Sequence, residues 1–256
     1  MQINDNIIIK QGDCLELMKD IPDKSIDMVL CDLPYGTTAC KWDTIIPFDK
    51  LWEQYERIIK DKGAICLFGS EPFSSKLRMS NLKLYKYDWV WEKTKFANFA
   101  LIKKQPRKMH ENIIIFYYKQ PIYNPQMEKG EPYKDTRIRK QDSRTMTDGK
   151  SIKFSKRTPI ENDGTRYPKS VIKFSNPSGK GHLHPTQKPV ELCEYLIKTY
   201  TNEGETVLDN CMGSGTTAIA CINTNRNFIG FELDKHYYDI ANERIQKALA
   251  EKAEGE

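Results

Sequence analysis

Short apolar runs alternate with amphipathic segments along most of this 256-residue chain. The runs predict strands at residues 7–10, 28–31, 64–68, 89–91, 113–118, 206–209 and 228–231. Apolar positions near helical spacing predict helices at residues 49–61, 72–80, 190–201, 214–224 and 234–250. Strands that alternate with helices indicate an α/β fold, with a mostly parallel twisted sheet covered by helices on both faces.

The pattern fades between residues 119 and 181, where Pro, Gly, Asn, Asp and Lys dominate and no separate apolar core is visible. It returns after residue 182. We therefore predict one catalytic domain made of residues 1–118 and 182–256, with residues 119–181 inserted into it.

Charge is unevenly distributed along the chain. Residues 93–180 contain 21 Lys and Arg against 8 Asp and Glu, a net charge of +13, whereas the whole chain carries only +5. Aromatic residues are interleaved with these basic ones. This composition favours a polyanionic partner with stackable bases, and nucleic acid is the leading candidate.

The remaining composition is that of a soluble globular protein, with 39% hydrophobic and 29% charged residues. The seven cysteines are scattered and show no C-x-x-C spacing, which is typical of buried free thiols. No apolar run approaches the roughly 20 residues that a membrane span needs, and the first residues do not resemble a signal peptide. We expect a cytoplasmic protein without a membrane partner.

A carboxylate, a proline and an aromatic ring follow the predicted strand at residues 28–31. These are Asp32, Pro34 and Tyr35, with Leu33 between them. They would lie on a loop at the carboxyl end of a strand, which is where open α/β sheets bind ligands. An ordinary turn, with Asp32 as a local cap, is the simpler alternative.

A glycine loop follows the predicted strand that ends at Asp209. Gly213 and Gly215 would let the backbone approach a ligand closely, and the next helix offers free N–H groups. Glu232 ends the following strand, where a carboxylate can accept hydrogen bonds from ribose hydroxyls. The loop lacks the third glycine of a dinucleotide site and the Lys-Ser/Thr of a P-loop. A smaller adenosine-containing ligand is therefore expected.

Four segments together resemble one protein family. Asp32-Leu-Pro-Tyr35 resembles the D-P-P-Y catalytic motif of amino-group DNA methyltransferases, and Asp209-Asn-Cys-Met-Gly-Ser-Gly-Thr-Thr217 resembles their D-P-F-x-G-S-G-T-T cofactor loop. "HPTQKP" at residues 184–189 and "GDCLELM" at residues 12–18 resemble two further motifs. The catalytic motif precedes the cofactor loop, which is the permuted, beta-type order of that family.

The resemblance implies a Rossmann-like methyltransferase fold, S-adenosylmethionine as cofactor and an insert that recognises the DNA target. It implies a catalytic role for Asp32, Leu33, Pro34 and Tyr35. It implies cofactor contacts from Asp13, Cys14, Asp32, Thr186, Lys188, Asp209, Cys211, Gly213, Ser214, Gly215, Thr216, Thr217, Glu232 and Leu233. Two departures concern the loops, since Leu33 replaces a proline and Asn210-Cys211 replace Pro-Phe.

Aspartate in the first motif position is usual in adenine-N6 members of the family, whereas beta-type cytosine-N4 members usually carry serine. The resemblance therefore implies methyl transfer to adenine N6 in double-stranded DNA, after the base has been flipped out. Cytosine N4, or an RNA amino group, would share nearly every motif. A catalytically silent nucleic-acid-binding module is the alternative from a different class.

Several residues keep two interpretations. Asp13 either bonds the adenine of the cofactor or caps a helix, and Thr186 and Lys188 either reach the cofactor's carboxylate or only order their turn. Arg137, Arg139 and Lys140 either contact DNA phosphates or lie in a solvated loop. Residues 37–43 form either a lid over the flipped base or a packed turn. His182 and His184 have no third ligand nearby, so no metal site is expected.

Double-stranded DNA is thus the expected partner. A homodimer and a cognate restriction endonuclease are further partners that the resemblance suggests.

Overall fold

The computed structural model describes residues 2–4, 6–36, 43–96, 99–137, 142–145, 151–154, 158–176 and 187–255. The chain divides into two compact units, one formed by Met1–Asn124 with Lys169–Glu256 and the other by Pro125–Pro168. The second unit is shorter at both ends than the predicted insert of residues 119–181.

The strands are β1 (Gln2–Asn4), β2 (Ile7–Gln11), β3 (Ile26–Cys31), β4 (Ile59–Gly69), β5 (Tyr85–Lys93), β6 (His110–Phe116), β7 (Glu128–Lys129), β8 (Tyr133–Asp135), β9 (Asp142–Thr145), β10 (Ser151–Phe154), β11 (Ile160–Asn162), β12 (Thr165–Arg166), β13 (Val171–Phe174), β14 (Thr206–Asp209) and β15 (Asn227–Glu232). The α-helices are α1 (Cys14–Leu17), α2 (Phe48–Ile58), α3 (Phe73–Ser80), α4 (Val190–Tyr200), α5 (Thr216–Asn223) and α6 (Lys235–Gly255). None of these helices is long and apolar enough to span a membrane.

Nine strands of the described residues form one sheet in the order β1-β2-β15-β14-β3-β4-β6-β5-β13. Neighbours from β2 to β4 pair in parallel, and so do β5 and β13. β1 pairs antiparallel with β2, and β6 pairs antiparallel with β4 and β5. The mostly parallel α/β fold predicted from the sequence is confirmed.

Each face of the sheet has its own core. Buried residues of α4, α5 and α6, such as Leu196, Ala220 and Ile245, pack on one face. Buried residues of α1, α2 and α3 pack on the other. Strands that are covered on both faces need apolar side chains in both directions, which explains the nearly continuous apolar runs of β3 and β4.

Helix α2 shows how the pattern positions these elements and where it misleads. Leu51, Trp52, Tyr55 and Ile58 recur at helical spacing and are buried on one side of α2. The prediction extended this helix to residue 61, but Ile59 begins β4 and pairs with Ile26 of β3. Pairing along the sheet thus ends the helix earlier than the local pattern indicated.

β13 lies within the predicted insert but belongs to the main sheet. It pairs in parallel with β5 at the edge of the sheet, where Ile172 is buried and Val171 is exposed. A single buried side chain on a short edge strand gives a weak apolar signal, so this strand was not predicted.

The second unit, Pro125–Pro168, is built from short antiparallel pairs nested along the chain. β7 pairs with β12, β8 with β11, and β9 with β10. Asp135 is buried, and Arg137 binds it with two side-chain hydrogen bonds of 2.9 and 2.8 Å.

Gly215 connects β14 to α5 in a left-handed conformation, with φ at +80°. A Cβ atom at this position would lie 3.2 Å from the Cβ of Ala241 in α6. Two features therefore favour glycine at this position: the positive φ and the close approach of α6. Its missing side chain would face α6.

Replacing Gly215 by alanine should destabilise the protein more than the same change at Gly204. Gly204 has a similar φ of +77° but no atom within 4 Å of the position of a Cβ. We expect a loss of about 1–2 kcal/mol for Gly204→Ala from backbone strain alone, and about 1–3 kcal/mol more for Gly215→Ala from crowding against Ala241. Denaturant unfolding of both variants measures the difference. Equal losses would show that α6 yields without cost.

Candidate functional site

The catalytic motif predicted from the sequence lies immediately after β3. The Tyr35 hydroxyl donates a 2.6 Å hydrogen bond to Asp32 Oδ1, and the Lys188 ammonium forms an ion pair with Asp32 Oδ2. The Asp32 side chain is 21% exposed, and burial raises its pKa, an effect that the charge of Lys188 opposes. The motif therefore presents a carboxylate whose two oxygens are both engaged.

The Tyr35 ring is supported from one side. It stacks on the buried ring of Phe73 in α3, with ring centroids 4.8 Å apart and an interplanar angle of 23°. This contact was not predicted from the sequence, because Phe73 reads there as an ordinary core residue of an amphipathic helix. One face of Tyr35 is thus covered.

Asp209, the last residue of β14, stabilises the cofactor loop by hydrogen bonds to both ends of the loop. Asp209 Oδ2 accepts a 2.6 Å hydrogen bond from the Thr217 hydroxyl, and Oδ1 accepts one of 3.1 Å from the Cys211 N–H. Burial raises the pKa of Asp209 to about 6. These two hydrogen bonds join the end of β14 to the start of α5, and both donors are neutral.

Glu232 binds the same loop from the end of β15. Its Oε2 accepts a 2.8 Å hydrogen bond from the Gly213 N–H, and its Oε1 accepts one of 2.9 Å from the Asp234 N–H. Burial raises the pKa of Glu232. The carboxylate therefore has a fixed orientation at the edge of the cavity.

Asp13 caps α1 by accepting a 2.8 Å hydrogen bond from the Leu15 N–H. This is one of the two roles considered for it, and the contact with a cofactor adenine stays a prediction. The preceding residue, Gly12, donates its N–H to the Glu232 carbonyl at 2.9 Å. The segment before α1 is therefore joined to the end of β15 at the cavity.

These segments surround one cavity of about 410 Å³. All four predicted catalytic residues line it, as do the predicted cofactor residues within the described part of the chain, with the exception of Gly215. The side chain missing from Gly215 would face Ala241 instead. Gly215 is needed for the turn and for helix packing, and its contact with the cofactor stays a prediction.

Lys188 lies in the cavity wall beside the catalytic motif, and its contact with the cofactor's carboxylate stays a prediction. Its ammonium is buried between Asp32 and Glu111, and Glu111 also pairs with Lys93. Glu111, at the start of β6, was not predicted. The only signal was a charged residue before the apolar run of residues 113–116, and such a residue usually marks a strand end.

Two further contacts were missed. Asp43 is buried and accepts a 2.8 Å hydrogen bond from the Gly36 N–H, so it holds the backbone just after the catalytic motif. The Tyr55 hydroxyl donates a 2.5 Å hydrogen bond to Asn210 Oδ1, so α2 supports the cofactor loop at the position where the family motif has proline. Neither partner could be identified from local sequence.

Other predicted residues lie outside the described residues: Thr186, Arg139, Lys140, His182, His184 and residues 37–42. Arg137 is described, and its side chain is 80% exposed while it holds Asp135.

A DNA methylase family model, N6_N4_Mtase, matches residues 26–243. The chain belongs to this family, which confirms the resemblance found in its motifs. It is 27% identical to the type II methyltransferase M.HpaI of Haemophilus parainfluenzae, over 91% of this chain and 72% of that protein. It is also 27% identical to the type II methyltransferase M1.MboII of Moraxella bovis, over 91% of this chain and 94% of that protein.

Solved structures agree with this assignment. The complex of M1.HpyAVI with SAM matches with a TM-score of 0.65 and 25% identity, over 93% of this chain and 98% of that one. The cytosine-N4-specific PvuII DNA methyltransferase matches with a TM-score of 0.65 over 99% of this chain and 94% of that one, but at 16% identity it supports only the fold. The protein is thus an amino-group DNA methyltransferase whose cofactor is S-adenosylmethionine.

The residues around the cavity fit this cofactor. The partly buried carboxylate of Glu232 has a fixed orientation that suits ribose hydroxyls, and the acidic groups of the cavity suit a positively charged ligand. S-adenosylmethionine supplies an electrophilic methyl group on a sulfonium centre. Glu232 would supply acceptors that orient it, and the loop after β3 would face the second substrate.

Glu232→Ala should weaken cofactor binding. Loss of a hydrogen bond to a charged group costs about 1.5–3 kcal/mol, which is roughly a 10–150-fold change in affinity. Glu232→Gln should recover part of the lost affinity, because its amide oxygen still accepts from one backbone N–H. Calorimetry with S-adenosylmethionine is the measurement.

The control is Asp239→Ala on α6, where the carboxylate is exposed and pairs only with Lys235 among the described residues. Melting without cofactor separates a loosened loop from a lost contact. If Glu232→Ala binds the cofactor as tightly as the control does, Glu232 is not a cofactor residue.

Proposed function

We propose that this protein transfers the methyl group to N6 of adenine in double-stranded DNA, after the base has been flipped out of the helix. The observation that carries the proposal is the Asp32 carboxylate, which lies beside the cavity at the carboxyl end of β3. A flipped base is required because the reacting amino group cannot be reached squarely inside a duplex.

The chemistry explains why a carboxylate is needed there. The lone pair of an exocyclic amino nitrogen is delocalised into the ring, so the nitrogen is a poor nucleophile. Asp32 and a backbone carbonyl of Leu33 or Pro34 accept its two N–H groups and favour a pyramidal nitrogen with a localised lone pair. Pro34 fixes φ and stiffens the loop that aims these acceptors.

The stack of Tyr35 on Phe73 supports a role in holding the base. A ring that is braced on one face offers its other face to a flipped base at little cost in side-chain entropy. Adenine is favoured over cytosine because position 32 carries aspartate rather than serine. The likeness to the cytosine-N4-specific PvuII enzyme is one of fold and does not bear on this choice.

Residues 125–168, which form the second compact unit, are proposed to read the DNA target together with the basic residues that flank them. The excess of basic residues between positions 93 and 180 supports this role. A homodimer and a partner restriction endonuclease are kept as proposals on the strength of the family resemblance.

Asp32→Ala should bind DNA and cofactor but transfer almost no methyl group. An interaction that is made chiefly in the transition state lowers the rate of the chemical step more than it lowers binding, and we expect a loss of at least about 100-fold. Asp32→Asn should be less severe, because its amide oxygen still accepts one hydrogen bond. Single-turnover assays, with the product bases separated by chromatography, measure rate and product together.

Asp20→Ala is the matched control, since that carboxylate is exposed and pairs with Lys10. A wild-type rate for Asp32→Ala would refute the mechanism. N4-methylcytosine as the product would keep the mechanism and refute the choice of base. Cofactor binding without methyl transfer to DNA or RNA would indicate a silent binding module.

Affinity for DNA should fall linearly with the logarithm of salt concentration, with a slope of about −0.9 per phosphate neutralised. Replacing Arg139 and Lys140 together by glutamine should flatten the slope and leave cofactor affinity unchanged. Arg137 is varied separately, because it also holds the buried Asp135. Lys198→Gln on α4, a surface position, is the control. An unchanged slope in the double variant would assign these residues to a solvated loop.

A further inference from the structure

Lys188, Glu111 and Lys93 form a chain of alternating charges that ends on the catalytic carboxylate. Lys188 pairs with Asp32 Oδ2, Glu111 lies between Lys188 and Lys93, and Lys93 pairs with Glu111 Oε1. All three side chains are 13% exposed or less. Buried charges of this kind are costly unless they are paired, so the arrangement has a role other than surface solvation.

The surroundings of Lys188 strengthen its effect on Asp32. Its ammonium lies 5.1 Å from the centroid of the Phe68 ring and 6.0 Å from that of Tyr35. The Lys188 side chain is only 9% exposed, so little water reaches its ammonium to screen the charge. The electrostatic attraction between Lys188 and Asp32 is therefore larger than it would be at the surface.

Glu111 offers Lys188 a second acceptor. Its Oε2 lies 3.4 Å from the Lys188 ammonium, and among the residues that the structure describes no donor meets hydrogen-bond geometry with that oxygen. A small movement of the Lys188 side chain would convert this contact into a hydrogen bond. Glu111 does not line the cavity and cannot itself meet the cofactor there.

Tyr35 and Lys188 each occupy one acceptor site on Asp32, whose carboxylate has about four. An amino group that approaches Oδ2 from the side of the ammonium therefore competes with Lys188. We propose that Lys188 and Glu111 are positioning residues: Lys188 holds Asp32 ionised and aligned before the base arrives, and Glu111 receives the ammonium when the amino group of the base takes its place on Oδ2. This inference rests on the proposed role of Asp32 and assigns Lys188 to that carboxylate rather than to the cofactor.

The proposal predicts opposite effects of two substitutions on the ionisation of Asp32. Lys188→Met removes the cation whose charge lowers the pKa of Asp32 against the effect of burial, so that pKa should rise. Glu111→Gln removes an anion that also raises the pKa of Asp32, so that pKa should fall. The other titratable groups that face Asp32 within the described residues are Tyr35, Cys31, Asp209 and Cys193, and neither substitution changes them.

The first measurement is the titration of the Asp32 carboxyl carbon by NMR in the protein without DNA, with Asp32→Asn to assign the signal. We expect the midpoint to move up in Lys188→Met and down in Glu111→Gln, each by about one pH unit or more. In single-turnover assays, the acid limb of the pH–rate profile should move in the same directions, because the rate falls as Asp32 becomes protonated. The maximal rate should fall about 100-fold in Lys188→Met.

Cofactor affinity, measured by calorimetry, should stay at the wild-type value in both variants. The controls are Lys198→Met and Glu194→Gln, a partly exposed pair on α4 that is remote from Asp32 in sequence and lies on the surface. In the double variant Lys188→Met/Glu111→Gln, the second substitution should add little to the loss of maximal rate, because at pH values where Asp32 is ionised Glu111 acts only through Lys188.

Weaker cofactor binding in Lys188→Met with an unchanged Asp32 titration would overturn the proposal and assign Lys188 to the cofactor. Shifts in the same direction in both variants would also overturn it. If Lys188→Met does not fold, the isosteric Glu111→Gln still tests the predicted downward shift. If the two variants shift the Asp32 titration in opposite directions but the wild-type protein methylates no adenine, the proposed function is refuted and the charge chain stands. The two failures are therefore distinguishable.

Discussion

The parallel pairing of β3 with β14 is the interaction on which the rest of the site depends. Val207 pairs with Met28 and Leu208 with Val29, so the two strands end at the same edge of the sheet. The catalytic motif and the cofactor loop therefore meet, although they come from opposite ends of the chain. Because the contact needs only adjacent carboxyl ends, it is independent of motif order, and a permuted chain builds the same site.

Two carboxylates of the site, Asp32 and Asp209, are stabilised in different ways. Asp209 is held by the neutral donors Thr217 and Cys211, and its raised pKa of about 6 reflects burial without a cation. Asp32 has a buried cation, Lys188, against one oxygen. Neutral donors suffice for a residue that fastens a loop, whereas a carboxylate that must accept hydrogen bonds from a substrate benefits from a partner that keeps it charged.

The elements with strong periodicity were predicted well. The errors occurred where pairing with a neighbouring strand sets the bounds of an element. Helix α4 begins and ends within one residue of the predicted range, because its apolar face is continuous. Helix α2 ends earlier, since Ile59 is recruited into β4 beside Ile26. Strand β13 was missed, because an edge strand with one buried residue, Ile172, has almost no local signal. Backbone pairing with a distant strand is invisible in a window of a few residues.

The sequence by itself determined the class of protein, the cofactor and most of the cavity wall, because turns, glycines and motif residues such as Asp32 and Asp209 lie in short contiguous segments with a fixed local geometry. Only the tertiary structure decided the partners of those residues. It placed Lys188 beside Asp32 and Glu111 beside Lys188. It also brought α6 so close to Gly215 that a side chain there would meet Ala241. The physical reason is that ion pairs and packing act through space between distant segments, whereas propensity and turn chemistry act along the chain.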